Sequence, residues 1–247
     1  MPKNEMIAPA FPPPACGGAT FHESDAVDEV GVVLSELSCT GALRVLEAGC
    51  GRHTCLDFGP EAYVVGIDIE PQEIGRNGRL SEAIVGDIQT YHVPSRSFDI
   101  AVCWNVLEHL ESPERALENI CGALRPGGLL VVGVPELRSL KTRLVKLTPA
   151  WLHRWAWRRL YPNASHEHGP FSLVLDDGVG ATEIERCATA NSMTVIYSKG
   201  YESAMQAKLR KSLGVGDRAW RLLHAALAGR VDVLHSDRVL ILRKGTA

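Results

Sequence analysis

The sequence predicts an α/β fold in which helices cover both faces of a doubly wound, mostly parallel sheet. Short apolar, β-branched runs alternate with helical stretches between residues 44 and 135, which is the pattern of successive βαβ units. These runs are apolar throughout instead of alternating with polar residues, as expected for parallel strands that are buried on both faces. With 247 residues, the chain is long enough to form one large domain around such a sheet.

The elements of this sheet can be assigned in order along the chain. Residues 24–37 begin with an N-cap-like serine and carry apolar residues at helical spacing, so they predict an amphipathic helix that covers the cofactor or a sheet face. A second helix is predicted at 113–124, before the fifth strand. Five strands are predicted, at 44–47, 63–69, 83–85, 98–104 and 129–134.

Beyond Pro135 the alternation stops, and residues 138–161 predict a helical insertion rich in tryptophan and arginine. Together with the following loop, this insertion, residues 138–170, is expected to line the acceptor side of the domain. The alternation then resumes with a helix at 182–190, a strand at 193–197, a helix at 204–228 and a last strand at 238–243. The basic residues of the helix at 204–228 are expected on a solvated face: Lys208, Arg210 and Lys211.

Composition limits the classes of function and the compartment. The net charge of -3 argues against a broad nucleic-acid-binding surface. The seven cysteines include no Cys-x-x-Cys pair, so reduced thiols are expected in place of disulfides or a zinc site. No apolar run is long enough for a membrane span, and the proline-rich residues 1–20 read as a flexible N-terminal arm before a domain at 21–247. A cytoplasmic protein is therefore expected.

The turn after the first strand carries the main signal for a cofactor. Gly49 and Gly51 would let the backbone approach a ligand closely. About 20 positions on, Asp68 ends the second strand, where an acidic residue can accept hydrogen bonds from ribose hydroxyls. Taken singly, the glycines could mark a tight turn and Asp68 could cap a helix. Together they predict a nucleotide-binding loop.

Two further positions separate a nicotinamide site from other nucleotide sites. A dinucleotide loop has a third glycine that packs the helix under the pyrophosphate, and here that position is Thr54. Glu47 precedes the first glycine, and its negative charge would disfavour a phosphate bridge. It suits a ligand with a cationic amino-acid end, such as S-adenosylmethionine.

Six short motifs follow one another along the chain: Glu47-x-Gly49-x-Gly51, Gly66-Ile67-Asp68, Gly86-Asp87-Ile88, Phe98-Asp99-Ile100, Asn105-Val106-Leu107-Glu108-His109-Leu110 and Leu124-Arg125-Pro126-Gly127-Gly128. In this order they resemble the motifs of the class I methyltransferases, in particular the subgroup of quinone-biosynthesis and natural-product enzymes. The resemblance covers about residues 40 to 135 and implies a Rossmann-like sheet of seven strands with an antiparallel last strand. His53 departs from it, because many members have a third glycine there.

The resemblance also implies S-adenosylmethionine as the cofactor and assigns roles to individual positions. Asp87 would bind the adenine amino group, Ile88 would pack on the adenine ring, and Asn105 would lie near the methionine end. Ile69, next to the ribose-binding Asp68, is expected in the same site. Asp99 is assigned to structure, because it begins its strand and so lies away from the carboxyl edge where such sheets bind ligands.

The acceptor side is less explicit in the sequence. His109 follows the fourth strand and is a candidate general base, although a packing or capping role suits it as well. Relatives that bind magnesium resemble this segment but carry Glu-x-x-Glu-His; here Asn105 replaces the first glutamate, so no metal is predicted. Trp104, His166 and His168 are candidate substrate-binding residues, although the two histidines also suit a polar loop.

The sequence therefore predicts methyl transfer from S-adenosylmethionine to an oxygen or nitrogen of a small or medium acceptor, such as a sugar, a glycolipid or a secondary metabolite. Peripheral contact with a membrane surface that carries a lipid-linked acceptor is a further option, and no nucleic-acid partner is expected. A nicotinamide-dependent oxidoreductase and a methyltransferase-like binding module without turnover are the alternatives.

Overall fold

The computed structural model describes residues 21–37, 42–54, 56–147, 180–227 and 230–246. Seven strands form one sheet: β1 (Arg44–Ala48), β2 (Tyr63–Asp68), β3 (Glu82–Val85), β4 (Phe98–Trp104), β5 (Leu124–Pro135), β6 (Met193–Tyr201) and β7 (Asp237–Lys244). Their spatial order is β3-β2-β1-β4-β5-β7-β6. The first five strands run parallel, and β7 is antiparallel to both of its neighbours. The predicted doubly wound sheet with an antiparallel last strand is confirmed.

The described helices are α1 (Glu23–Leu37), α2 (Pro71–Ile74), α3 (Pro113–Ala123), α4 (Leu140–Leu147), α5 (Ala181–Ala190), α6 (Ala204–Ser212) and α7 (Asp217–Ala226), with a short 3-10 helix at Leu107–His109. The apolar side chains of α1 join one core cluster with β1, β4 and β7, whereas α3 and α5 join a second cluster. The sheet is thus buried on both faces, which is why its strands are continuous apolar runs.

Asp99 has the structural role expected from its place at the start of β4. Its Oδ2 accepts a hydrogen bond of 2.9 Å from the Arg44 backbone N–H, and its Oδ1 one of 2.8 Å from Arg125 Nη1. The carboxylate therefore ties the amino-terminal ends of β1, β4 and β5 together, on the sheet edge opposite the candidate site.

The structure differs from the prediction in the segment 204–228. This segment forms α6 and α7 instead of one helix, because Gly214 takes the left-handed φ of 68° and ends α6. The expectation of a solvated face is wrong for Arg210, which is only 4% exposed and forms ion pairs with Glu202 and Asp217. The guanidinium ties the end of β6 to the start of α7.

Several predicted features lie outside the described residues. These are the arm at 1–20, the part of the insertion that follows α4, its tryptophans, and the candidate residues His166 and His168. Of the helices in the described part of the chain, none has the length and apolar character needed to cross a membrane.

Candidate functional site

The candidate site lies at the carboxyl edge of the sheet, where the strand order reverses. Strand β1 is flanked by β2 on one side and β4 on the other, so the loops that leave β1 and β4 diverge at this point. The loop of Gly49 and Gly51 follows β1 directly, Asp68 ends β2, and Asn105 follows β4. The fold therefore brings together three motifs that are remote in sequence.

Gly49 is required by its backbone conformation and by its neighbours. Its φ is 69°, and its N–H donates to the Ile67 carbonyl over 2.7 Å. A Cβ at this position would lie 2.3 Å from Cγ2 of Val106, which follows β4. The loop after β1 thus packs directly on the segment after β4.

Asp68 holds the same loop through its carboxylate. The Gly51 N–H donates to Asp68 Oδ2 over 2.8 Å, and the Glu70 N–H donates to Oδ1 over 2.9 Å. An ionised carboxylate offers about four acceptor positions, so both oxygens keep capacity for further donors. The side chain can therefore position the loop and also bind hydroxyl groups of a ligand.

Glu47 lies beneath this loop and is 4% exposed. Burial raises the pKa of its carboxyl from the ordinary 4.5 to about 7, while the hydrogen bond of 2.7 Å from the Thr54 hydroxyl opposes that rise. A cation placed beside this group would favour its ionised form. Thr54, whose identity argues against a dinucleotide loop, thus has a structural role of its own.

Asn77 is a site residue that the sequence analysis missed. It is buried, and its side-chain N–H groups lie 3.4 Å from the Cys50 carbonyl and 3.3 Å from the Gly51 carbonyl. A second missed contact joins Arg52 to Glu73 of α2 through two hydrogen bonds of 2.6 and 2.7 Å. Neither Asn77 nor Glu73 belongs to a recognisable motif, because each comes next to the loop only when the chain folds.

The residues expected around an adenine ring lie along β2 and β3. Ile69 is 64% exposed directly after β2. Asp87 Oδ1 accepts hydrogen bonds from the backbone and the side-chain N–H of Gln89, at 2.9 and 3.0 Å. Ile88, by contrast, is 4% exposed and belongs to the core cluster of α3 and α5. Its apolar side chain therefore faces the protein interior.

The segment after β4 has a strained start. Asn105 takes a φ of 56°, which is uncommon for a residue other than glycine, and its N–H donates to the Gly133 carbonyl over 2.9 Å. The ring of Trp104 lies across Gly133, where a Cβ would come within 2.9 Å of it. The Trp104 indole also lies near the Tyr201 ring, with the two ring centroids 6.0 Å apart.

A buried polar cluster continues the same edge beyond Trp104. The register places the ends of β5 and β6 beside Asp237, the first residue of β7. Both Asp237 carboxylate oxygens accept hydrogen bonds of 2.9 Å from Lys141 Nζ, and Ser236 Oγ donates to Oδ2. Glu108 is buried in the same region. Its pKa is raised to about 7, mainly by burial, with the charge of Asp237 adding to the rise and a backbone hydrogen bond and Lys141 opposing it.

His109, the predicted base, lies in the short 3-10 helix and is half-buried. Its Nε2 is 4.0 Å from Glu108 Oε1. Among the described residues, no group of three or more histidine, cysteine or acidic side chains is arranged to hold a metal ion. The sequence indicates His109 and not Glu108, because burial of the glutamate depends on how the short helix packs against α3 and β5.

Comparison with known proteins supports the interpretation of the fold. A family described as a methyltransferase domain matches residues 18–172, which is more than half of the chain. The mitochondrial ubiquinone biosynthesis O-methyltransferase of Schizosaccharomyces pombe is 30% identical over 149 residues, which cover 54% of this chain and 53% of that protein. An uncharacterised protein encoded by a Streptomyces fradiae transposon is 33% identical over 35% of its own length. The chain thus spans about a third to a half of these relatives.

Solved structures share the fold at low sequence identity. The [4+2]-cyclase SpnF has a TM-score of 0.55 at 17% identity, covering 89% of this chain and 81% of its own. The N-methyltransferase NodS from Bradyrhizobium japonicum, solved with S-adenosylhomocysteine, has a TM-score of 0.51 at 20% identity, covering 88% of this chain and 86% of its own. Because one of these two proteins is a cyclase, the shared fold alone does not assign a reaction.

Proposed function

Because this chain belongs to the methyltransferase domain family, we propose that its edge site binds S-adenosylmethionine and transfers the methyl group to an oxygen or nitrogen of a small or medium acceptor. The observation that carries this proposal is the loop of Gly49 and Gly51, held on one side by Asp68 and underlain by the buried Glu47. This combination suits a nucleoside with a cationic amino-acid end.

Glu47 supports the choice of donor electrostatically. Its carboxyl is desolvated and accepts a hydrogen bond from the Thr54 hydroxyl. The α-amino group of S-adenosylmethionine is cationic, and its charge next to Glu47 would stabilise the carboxylate form. A nicotinamide dinucleotide would bring a phosphate bridge to the same loop, which the negative charge disfavours.

The nucleoside half would extend along the edges of β2 and β3. In this proposal Asp68 accepts hydrogen bonds from both ribose hydroxyls with the acceptor positions that Gly51 and Glu70 leave unused. The exposed Ile69 contacts the adenine ring, and Asp87 accepts from its amino group. Since the Ile88 side chain is in the core, its contribution to the adenine pocket would come from its backbone.

Methyl transfer requires mainly that acceptor, methyl group and sulfur lie in line. A lone pair of the acceptor forms the new bond to the methyl carbon, and the electrons of the broken carbon–sulfur bond remain on sulfur. The donor thus becomes the neutral thioether S-adenosylhomocysteine. Positioning supplies most of such an acceleration, and a base adds to it when the acceptor must lose a proton.

The acceptor would enter beside Trp104, between Asn105 and the insertion. We propose a sugar, a glycolipid or a secondary metabolite in the cytoplasm, with His166 and His168 as further contacts from the insertion. Helix α4 opens this insertion and exposes Leu144 and Leu147 by 48% and 81%. These leucines would support peripheral contact with a membrane that carries a lipid-linked acceptor.

Calorimetric titration with S-adenosylhomocysteine tests the donor assignment directly. Binding in the micromolar range is expected, and folded protein without binding would refute the proposal. Asp68→Ala should weaken binding at least about tenfold, because it removes the ribose contacts. Asp57→Ala is the matched control, since this exposed aspartate lies in the same loop region and bonds only to Gly59 and Arg79 in the described structure.

The remaining alternatives are separated by simple ligand tests. An oxidoreductase would gain thermal stability from NADH instead of S-adenosylhomocysteine. A binding module without turnover would bind the donor but transfer no methyl group to any of a broad panel of acceptors. A nucleic-acid substrate, which the net charge disfavours, would be revealed by binding that weakens steeply with salt.

A further inference from the structure

Two buried polar groups at the acceptor side have unused hydrogen-bonding capacity among the described residues. Glu108 Oε2 has no partner, and the Tyr201 hydroxyl, which lies next to the indole N–H of Trp104, has no acceptor for its proton. Glu108 is 4% exposed, and Tyr201 is fully buried. Buried polar atoms in folded proteins are nearly always hydrogen-bonded, and an unsatisfied one carries a cost in stability. Two such atoms in one cluster point to a ligand group that completes them.

The two side chains belong to one local environment. Burial raises the pKa of the Tyr201 phenol, and the carboxylates of Asp237, Glu23 and Glu108 raise it further. Of these carboxylates, Asp237 is bonded to Lys141 and Ser236, and Glu23 Oε2 accepts from a backbone N–H. Glu108 Oε2 is the buried carboxylate oxygen of this group that has no hydrogen-bond partner among the described residues.

The cluster lies next to the loop of Gly49 and Gly51, which is the proposed site of the methyl donor. Val106, two residues before Glu108, packs against Gly49. Trp104 connects the same segment to Tyr201 through its ring. The indole N–H is a donor only, so it cannot accept the proton of the Tyr201 hydroxyl. A group placed between Glu108 and Tyr201 would therefore lie beside the methionine end of a bound donor.

Resting on the proposed methyl transfer, we propose that Glu108 and Tyr201 bind the reacting hydroxyl group of the acceptor, with Tyr201 donating to its oxygen and Glu108 accepting its proton. This assigns oxygen, not nitrogen, as the methylated atom. It also assigns the general base to Glu108 in place of His109.

The number of lone pairs on the acceptor atom decides between oxygen and nitrogen. A hydroxyl oxygen has two lone pairs and one proton, so it can attack the methyl group, accept from Tyr201 and donate to Glu108 at the same time. A neutral amine has one lone pair, which the attack on the methyl group would consume. An ammonium group has none.

The proposed step balances without another reactant. One oxygen lone pair forms the bond to the methyl carbon, the carbon–sulfur bond breaks toward sulfur, and the hydroxyl proton passes to the Glu108 carboxylate. Burial raises the pKa of Glu108 to about 7, which makes it a stronger base than an ordinary carboxylate and still leaves a large ionised fraction at neutral pH.

The test uses catechol as a neutral, flat hydroxyl probe and 1,2-diaminobenzene as its amine counterpart. Affinities are measured by ligand-observed NMR on the full chain saturated with S-adenosylhomocysteine. Glu108→Leu and Tyr201→Phe remove the polar atoms while keeping the shape. Glu111→Gln and Tyr63→Phe are the controls, because both residues are exposed and lie outside the cluster.

Each cluster variant should bind catechol about tenfold more weakly than wild type, with both controls unchanged. With S-adenosylmethionine, wild-type protein should methylate catechol in preference to the diamine, and methylation of catechol should slow about a hundredfold in Glu108→Gln. Equal catechol affinity in the variants, faster methylation of the diamine, or bound catechol that receives no methyl group would overturn the inference. If wild-type protein fails to bind S-adenosylhomocysteine, the proposed function fails instead.

Thermal unfolding supplies an independent check that needs no acceptor. Because the Tyr201 hydroxyl donates to no acceptor among the described residues, Tyr201→Phe should unfold at about the same temperature as wild type. A clear drop in the unfolding temperature, compared with Tyr63→Phe, would mean that the hydroxyl supports the fold, and would overturn its assignment to the acceptor.

Discussion

Replacing Glu47 with glutamine should stabilise the folded protein at mildly alkaline pH and weaken its binding of S-adenosylhomocysteine. Glutamine keeps the size of the side chain, and its carbonyl oxygen can still accept the hydrogen bond from Thr54. The substitution therefore removes one buried charge and little else. A gain in stability together with a loss of affinity is the signature of a charge kept for binding.

The size of the stability change follows from the pKa of Glu47. In the unfolded chain the Glu47 carboxyl loses its proton near pH 4.5, whereas in the folded protein the carboxyl keeps the proton until the pH reaches about 7. The folded state thus binds more protons in this interval, so wild-type stability falls as pH rises from 4.5 to 7. Each pKa unit corresponds to about 1.4 kcal/mol. The penalty reaches about 3 kcal/mol above pH 7 and vanishes below 4.5.

Denaturant unfolding of wild type and Glu47→Gln at about pH 8 and at about pH 4.5 measures this difference. The variant should be more stable by up to about 3 kcal/mol at the higher pH and should match wild type at the lower one. The comparison isolates Glu47, since Glu108 titrates equally in both proteins. Equal stability at both pH values, or a less stable variant at alkaline pH, would refute the reasoning.

Titration calorimetry supplies the binding half of the prediction. S-adenosylhomocysteine should bind the variant about tenfold more weakly, because its ammonium group loses a desolvated carboxylate. Methylthioadenosine lacks the amino-acid end and should bind both proteins equally. If both ligands lost affinity to the same extent, Glu47 would act on the loop as a whole and not on the cationic end.

Four further substitutions test the loop and the fold. In denaturant unfolding, Gly49→Ala should lower the free energy of unfolding by about 3 kcal/mol and Gly51→Ala by about 1 kcal/mol. Both glycines have a positive φ, but only at Gly49 would the added Cβ also clash with a neighbour, so equal losses would contradict this account. Asn77→Ala should weaken S-adenosylhomocysteine about tenfold by loosening the loop, and unchanged calorimetric affinity would remove it from the site. Arg210→Leu should destabilise by about 3 kcal/mol through the uncompensated Glu202, whereas a neutral effect would mean that the buried pair contributes little.

Most strands were predictable because their signals are local. The apolar runs, the glycine turn after β1 and the acidic end of β2 each occupy a few consecutive residues, so periodicity and turn chemistry identify them. The motif resemblance then ordered them into a sheet. The break between α6 and α7 was missed although Gly214 lies there, because a glycine within a helical pattern is often tolerated.

Arg210 and Asn77 illustrate what the sequence does not encode locally. In the sequence each resembles an ordinary surface residue. In the structure Glu202 and Asp217 pair with Arg210, and the loop of Gly49 and Gly51 contacts Asn77. Burial of a polar group depends on partners that lie far away in the chain. It therefore becomes visible only when the elements are assembled.

The sequence by itself determined the sheet, the family and the donor loop, because Gly49, Gly51 and Asp68 have local conformational and chemical requirements. Only the tertiary structure showed which acidic group of the motif is buried. His109 is the conspicuous titratable residue in its motif, whereas Glu108 acquires its raised pKa from burial in the folded protein, and the charge of Asp237 adds to that rise. Desolvation is a property of the packed assembly, so no reading of the motif alone could assign it.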